Sequence, residues 1–278
     1  MSLTSQVRWV SVFIDVRPDL LDAATAFWTS VTGSVVGAAV GDWGEFLPLQ
    51  PSSGDPCLWL QRTQDGPASC HPDLYVDDVD AVAERAGQLG ATRLSATEGL
   101  VVLRSPGSQP FCLVTHRGQS VRPEASGPAG ARSVVDQICL DIPWSCFDDE
   151  CDFWAALTGW PRTSEASEAS EASEASEASE ASEASEVSEV SEASEASHDE
   201  FDRLGTDADS PYAFLLQRLD RRAAAGAHLD LACEDRDAAT SRQRAWGADV
   251  VRRTPGWTVM RDPAGMLYCN TDRRPRAV

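Results

Sequence analysis

FIDVRPDLLDAATAFWTSVTG, residues 13–33, and CLDIPWSCFDDECDFWAALTG, residues 139–159, are one pattern written twice at a constant offset of 126. Phe27-Trp28 falls on Phe153-Trp154, and Gly33 on Gly159. A second pair, HPDLYVDD (71–78) and HLDLACED (228–235), repeats at an offset of 157. LRSPGSQPFCLV (103–114) keeps that offset against MRDPAGMLYCNT (260–271), placing Arg104 on Arg261 and Cys112 on Cys269. The offsets differ by 31, close to the length of eleven Ser-Glu-Ala triplets at 164–196 whose only departures are Val187 and Val190. Recurrence at a fixed offset marks a duplicated structural unit. The chain thus reads as two homologous units, 7–117 and 133–272, joined by a linker over 118–132 that contains SGPAGA. The triplet insertion, 164–197, interrupts the second unit.

Within each unit the periodicity is mixed. VSVFIDV (10–16) is rich in β-branched and aromatic residues without clean alternation, which suits a strand buried on both faces. Leu20, Ala24, Phe27 and Val31, spaced three or four apart, predict an amphipathic helix from about Asp19 that stops at Gly33. Trp28 and Trp154 fall on the core face of these helices. Strand-like runs follow near 43–49 and 57–62, LYV (74–76) leads through Asp77-Asp78 into a second helix over 78–90, and three short strands end near Thr115. This predicts an α+β class, with half-modules closing into a curved sheet. The triplets have almost no apolar surface to bury, and their glutamates spiral and repel one another, which predicts disorder.

Composition narrows the function. Eleven of the 44 acidic residues lie in the triplets, so the net charge of −21 becomes −10 elsewhere. Neither nucleic acid nor an anionic membrane suits such a surface. No segment has the length of a membrane span or the look of a signal peptide. The eight cysteines form no C-x-x-C pair and several sit in apolar runs, as expected of a cytoplasmic protein with reduced thiols. All 23 basic residues are Arg, which excludes lysine Schiff-base chemistry. Phosphate-loop, dinucleotide, H-E-x-x-H and G-x-S-x-G motifs are all missing.

The order of motifs resembles the vicinal oxygen chelate superfamily, in its glyoxalase-like or bleomycin-resistance-like branch. The motifs are a strand, a helix carrying Phe-Trp and ending in Leu-Thr-Gly or Val-Thr-Gly, H-x-D before a second helix, and R-x-P-G or D-P-x-G before a last strand. That likeness covers both units and implies two tandem domains, each of paired βαβββ modules forming an open barrel around a cavity. Metal-dependent relatives place two His and two Glu there. Carried across, those positions fall on Ser11, Gln61, His71 and Cys112 in the first unit, and on Gln137, Gln217, His228 and Cys269 in the second. With His the one retained ligand of four, the resemblance implies no standard divalent metal site and no cofactor.

Alternation along a strand puts His71 and Asp73, and likewise His228 and Asp230, on one face. A carboxylate beside an imidazole suits an acid/base pair, although mutual satisfaction within the strand is the simpler reading, and cavity lining without catalysis is another. Cys112 and Cys269 read as buried thiols before nucleophiles. Arg104 and Arg261 are candidates for holding a ligand carboxylate, and Trp43 and Trp59 for lining the cavity against a flat ligand. The leading expectation is a monomeric or homodimeric protein that binds a small organic molecule without a standard metal site. The alternatives are a lyase or isomerase using a His-Asp pair or a non-standard metal site, and a non-catalytic interaction scaffold.

Overall fold

The computed structural model describes residues 7–164, 200–206, 209–219 and 224–276. The triplet run beyond Ser164, with its expected disorder, lies outside them.

The first unit is a βαβββ module followed by another. One contains β1 (Val7–Val16), α1 (Leu21–Thr32), β2 (Val35–Val36), β3 (Phe46–Gln50) and β4 (Leu58–Arg62). The other contains β5 (Ser69–Val76), α2 (Val79–Gln88), β6 (Thr92–Thr97), β7 (Leu100–Arg104) and β8 (Pro110–Thr115). They build one eight-stranded sheet in the order β2-β3-β4-β1-β5-β8-β7-β6. The second unit repeats the plan with β9 (Ser133–Pro143), α3 (Phe147–Thr158), β10 (Arg162–Ser164), β11 (Phe201–Leu204), β12 (Ala213–Leu219), β13 (Gly226–Cys233), α4 (Arg236–Ala245), β14 (Asp249–Arg253), β15 (Trp257–Arg261) and β16 (Leu267–Thr271). Its order, β10-β11-β12-β9-β13-β16-β15-β14, matches the first sheet strand for strand. This is the α+β architecture of two open, curved sheets.

The first strands of the two modules pair antiparallel at the centre of each sheet, and each runs parallel to the last strand of its own module. A parallel neighbour requires a crossover, which the helix and hairpin of each module supply. Central strands are covered on both faces, and β1 is buried along nearly its whole length, which is why its sequence does not alternate.

Local signals behave as the sequence predicts. Gly33 and Gly159 end α1 and α3 in the left-handed region, at φ 64° and 74°. In each acidic pair the second residue is the cap, Asp78 accepting from the Ala81 N–H and Asp235 from the Ala238 N–H. No helix among the described residues is long and apolar enough to cross a membrane.

The two units share one core, because each lends its first helix to the other. Phe27 and Trp28 of α1 pack on Tyr268 of β16, and Phe153 and Trp154 of α3 pack on Phe111 of β8. Both indoles are fully buried, and each needs a hydrogen-bond acceptor. Trp28 Nε1 donates to Asp262 in the β15–β16 turn at 2.9 Å. Trp154 Nε1 donates instead to Glu150 of its own helix at 2.8 Å. Glu150 also accepts from the Ser105 hydroxyl and, at 2.6 Å, from the Gly107 N–H in the β7–β8 turn.

Candidate functional site

The concave face of each sheet is built on its central antiparallel pair. Register places Asp73 opposite Ser11 and His71 opposite Phe13 in the first unit, and Asp230 opposite Gln137 and His228 opposite Cys139 in the second. Side chains two residues apart share a face, and diagonal neighbours across an antiparallel pair come within reach. Asp15 of β1 therefore meets His71, its Oδ2 2.9 Å from Nδ1, and Asp141 of β9 meets His228 at 3.0 Å. The other ring nitrogen faces the aspartate that the sequence pairs with it: His71 Nε2 lies 3.6 Å from Asp73 Oδ1, and His228 Nε2 lies 3.5 Å from Asp230 Oδ1. Each imidazole is bracketed by two carboxylates. Parallel pairing then sets Cys112 beside Asp73 and Cys269 beside Asp230.

Electrostatics follow from burial and bracketing. Burial opposes a charge on His71, but Asp15, through its charge and hydrogen bond, and then Asp73 outweigh it, so the pKa is raised. For His228, burial is opposed by Cys139 and Asp141, and the pKa rises well above the ordinary value. The Cys139 thiol is itself pushed up by burial to about 12, so near neutrality it is uncharged and the Asp141 carboxylate carries that effect. Burial pushes the Asp73 carboxyl up to about 6 against the pull of His71. Burial also raises Cys112 and Cys269. A raised thiol pKa lowers the thiolate fraction, which argues against a nucleophile here.

The units differ in what fills the concave face. In the first, Phe13 stacks between the Trp59 indole and the His71 ring, with centroids 5.4 and 5.6 Å away, and Phe46 meets it edge-on at 5.7 Å. In the second, the positions of Phe13 and Trp59 are held by Cys139 and Leu215, while Phe201 replaces Phe46. There a cavity of about 810 Å³ opens, lined by His228, Phe201, Leu215, Arg252, Trp257 and Met266 among others. Two smaller side chains leave room that the aromatic stack occupies in the other unit.

Most of the sequence-derived site residues converge. Ser11 is buried opposite Asp73, and Gln61 lies half-buried opposite Asp15. Gln137 donates to Asp230 Oδ2 at 2.6 Å, and Gln217 donates to Glu200 at 2.9 Å while lining the cavity with Cys269. Three do not. Trp43 is 54% exposed in the turn before β3. Arg104 and Arg261 are the last residues of β7 and β15 and are exposed. A guanidinium at a strand end stays in water where nothing buried pairs with it. The sequence reading also missed Asp15 and Asp141. Their signal was the aspartate shared by FIDV and CLDI at the duplication offset.

A sequence profile of the glyoxalase-like domain matches residues 11–114 and again 137–271. The chain belongs to the glyoxalase-like domain family. It is a tandem protein of the vicinal oxygen chelate superfamily, and solved structures share its fold. A Mn(II)-bound glyoxalase from Novosphingobium aromaticivorans superposes with a TM-score of 0.62 at 16% identity, covering 96% of this chain and 83% of that one. The 2,2',3-trihydroxybiphenyl 1,2-dioxygenase of Sphingomonas wittichii strain RW1 gives 0.58 at 14%, covering 99% and 92%. A catechol 2,3-dioxygenase gives 0.59 at 15%, covering 99% and 91%. A search of curated proteins found no match. At these identities the likeness is one of fold.

A hard cation such as Mn(II) wants carboxylate, imidazole and water oxygens. This glyoxalase-like chain keeps only the imidazole of that set where the family has its ligands, while Asp141 and Asp230 place carboxylates beside it. At the positions implied by the resemblance, Gln217 is tied to Glu200, Gln137 is tied to Asp230, and the last strand presents a thiol.

Proposed function

We propose that this glyoxalase-like protein binds a small organic molecule in the cavity of its second unit, without the hard-metal ligand set of its superfamily. The observation that carries the reading is the exchange of Phe13 and Trp59 for Cys139 and Leu215, which goes with an open cavity on the concave face of the second unit. Its volume of about 810 Å³ falls within the roughly 300–1,000 Å³ of small-molecule sites. Phe201 and Trp257 stand edge to face at 6.0 Å in its wall, and Leu215 and Met266 add apolar surface. Arg252 and His228 add polar anchors for a ligand with an acidic or hydrogen-bonding edge.

The test fills the cavity with the first unit's own side chains. The probe is the fluorescent dye anilinonaphthalene sulfonate, flat and anionic. Wild type should bind it with enhanced emission, and the double variant Cys139→Phe, Leu215→Trp should weaken binding at least ~10-fold while keeping the wild-type circular dichroism. Undiminished binding in a folded double variant refutes the proposal.

The bracketing of His228 by Asp141 and Asp230 within the cavity favours a second reading, a lyase or isomerase in which this imidazole moves a proton. Asp141 would fix its tautomer and stabilise its charged form. His228→Ala should then abolish turnover, whereas a His228 that only anchors the ligand would leave turnover at saturating ligand and weaken affinity alone. Retained turnover excludes it.

A further inference from the structure

The second unit's cavity is lined by arginines that the first unit lacks. Arg203, Arg252 and Arg273 all border it. By strand register, Arg203 opposite Leu215 takes the place of Pro48 opposite Trp59, and Arg252 opposite Val259 takes that of Ser95 opposite Val102. Arg273 is held by Asp136 at 2.8 Å, whereas Arg252 makes no ion pair or hydrogen bond among the described residues. A β-bulge aims it. The β14–β15 register shifts between Val250 and Arg252, so Val251 is the extra residue and Arg252 faces Val259. Bulges re-aim side chains in this way. The first unit has the same bulge between Arg93 and Ser95, but there it presents a serine.

Arg252 and Trp257 are diagonal neighbours on the cavity face, roughly 7–8 Å apart, so one aromatic acid can touch both guanidinium and indole. The carboxylates on the floor do not cancel the charge on this wall. Asp141 and Asp230 are turned onto His228, at 3.0 and 3.5 Å. Asp230, Cys269, Val259 and Arg252 form one row across four strands. Three strand spacings put roughly 14 Å of sheet between Asp230 and Arg252, beyond the Debye length of about 8 Å at physiological salt. The chain as a whole carries a net charge of −21, so an acid gains affinity only where a local cation faces it.

We infer that the ligand of the second unit is a flat aromatic acid, its carboxylate or sulfonate held by Arg252 at the β14 bulge and its ring against Trp257 and Phe201. This rests on the small-molecule reading above, and adds the charge of the ligand, its orientation and the residue that selects it. A guanidinium forks onto such an acid through two parallel N–H bonds.

The experiment titrates the full chain with two dyes, anilinonaphthalene sulfonate and N-phenyl-1-naphthylamine, which has the same rings without the sulfonate. Arg252→Ser installs the first unit's residue at this bulge. It should weaken the sulfonate dye at least ~5-fold and the neutral dye less than ~2-fold. Added sodium chloride should weaken the sulfonate dye in wild type and much less in Arg252→Ser. Arg253→Ser, which removes a guanidinium paired with Asp237, should change neither dye. Equal loss of both dyes in Arg252→Ser, no loss of either, or an unchanged salt response overturns the acid selection alone, provided that Cys139→Phe, Leu215→Trp still loses both dyes. If Arg252→Ser does not fold, a wild-type sulfonate affinity no more salt-dependent than that of the neutral dye overturns it. Neither dye binding wild type, or both surviving the filled cavity, refutes the small-molecule reading and this inference with it.

Discussion

Replacing Glu150 with alanine should open the seam between the two units. Glu150 is 1% exposed, and its carboxylate accepts from the Trp154 indole, the Gly107 N–H and the Ser105 hydroxyl. Truncation leaves the first two donors buried without an acceptor, while the hydroxyl can rotate. At ~1–3 kcal/mol for each stranded donor, and with the lost bonds charge-assisted, the expected cost is about 3–5 kcal/mol. The other seam suggests a rescue. There the helix position equivalent to Glu150 is Ala24, and the turn position equivalent to Ser105 is Asp262, which accepts from Trp28 and from the Ala264 and Met266 N–H groups. Each seam has one carboxylate, on opposite sides of the contact.

Ser105→Asp in the Glu150→Ala background should therefore recover at least half of the lost stability. Gly107 extends the argument, since a Cβ there would lie 2.7 Å from the Glu150 carboxyl carbon, whereas its counterpart is Ala264. Gly107→Ala should be tolerated better in the exchanged background than in wild type. Equilibrium urea unfolding followed by tryptophan fluorescence gives the numbers. A loss under ~1 kcal/mol for Glu150→Ala, or no recovery with Ser105→Asp, refutes the account of the seam.

Two further outcomes are expected. Removing the stack of the first unit with Phe13→Cys and Trp59→Leu should cost ~2–4 kcal/mol and create a second dye-binding site; unchanged dye stoichiometry in a folded variant would show that the stack is not what closes this unit. Asp73 has a folded pKa of about 6 against an ordinary 3.8, so the native state holds its proton more tightly. That contribution is complete below pH 3.8 and is lost as pH rises through about 6, on the order of 2–3 kcal/mol. Asp73→Asn should flatten the fall in urea-unfolding stability across this window, and parallel curves for variant and wild type would contradict it.

Much of the site was legible because strand periodicity is local. His71 with Asp73, and His228 with Asp230, share a face by two-residue alternation, and the structure keeps them there. Asp15 and Asp141 were harder to see as partners. They lie 56 and 87 residues from their histidines, and only the register of β1 on β5 and of β9 on β13 makes them diagonal neighbours. Trp43 and both arginines show a related effect: residue type suggested lining the cavity or holding a ligand carboxylate, while position along the strand or turn leaves them exposed.

The sequence alone determined the architecture, because duplication exposed the repeated pattern and each helix stop, cap and buried strand is written in neighbouring residues. The superfamily resemblance came from the same repeated order. That a cavity opens in the second unit, which carboxylates bracket each imidazole and which carboxylate meets each seam tryptophan were decided only by tertiary structure. All three depend on distant segments meeting in one register, and the exchange of Phe13 and Trp59 for Cys139 and Leu215 becomes a cavity only once the sheet curves around it.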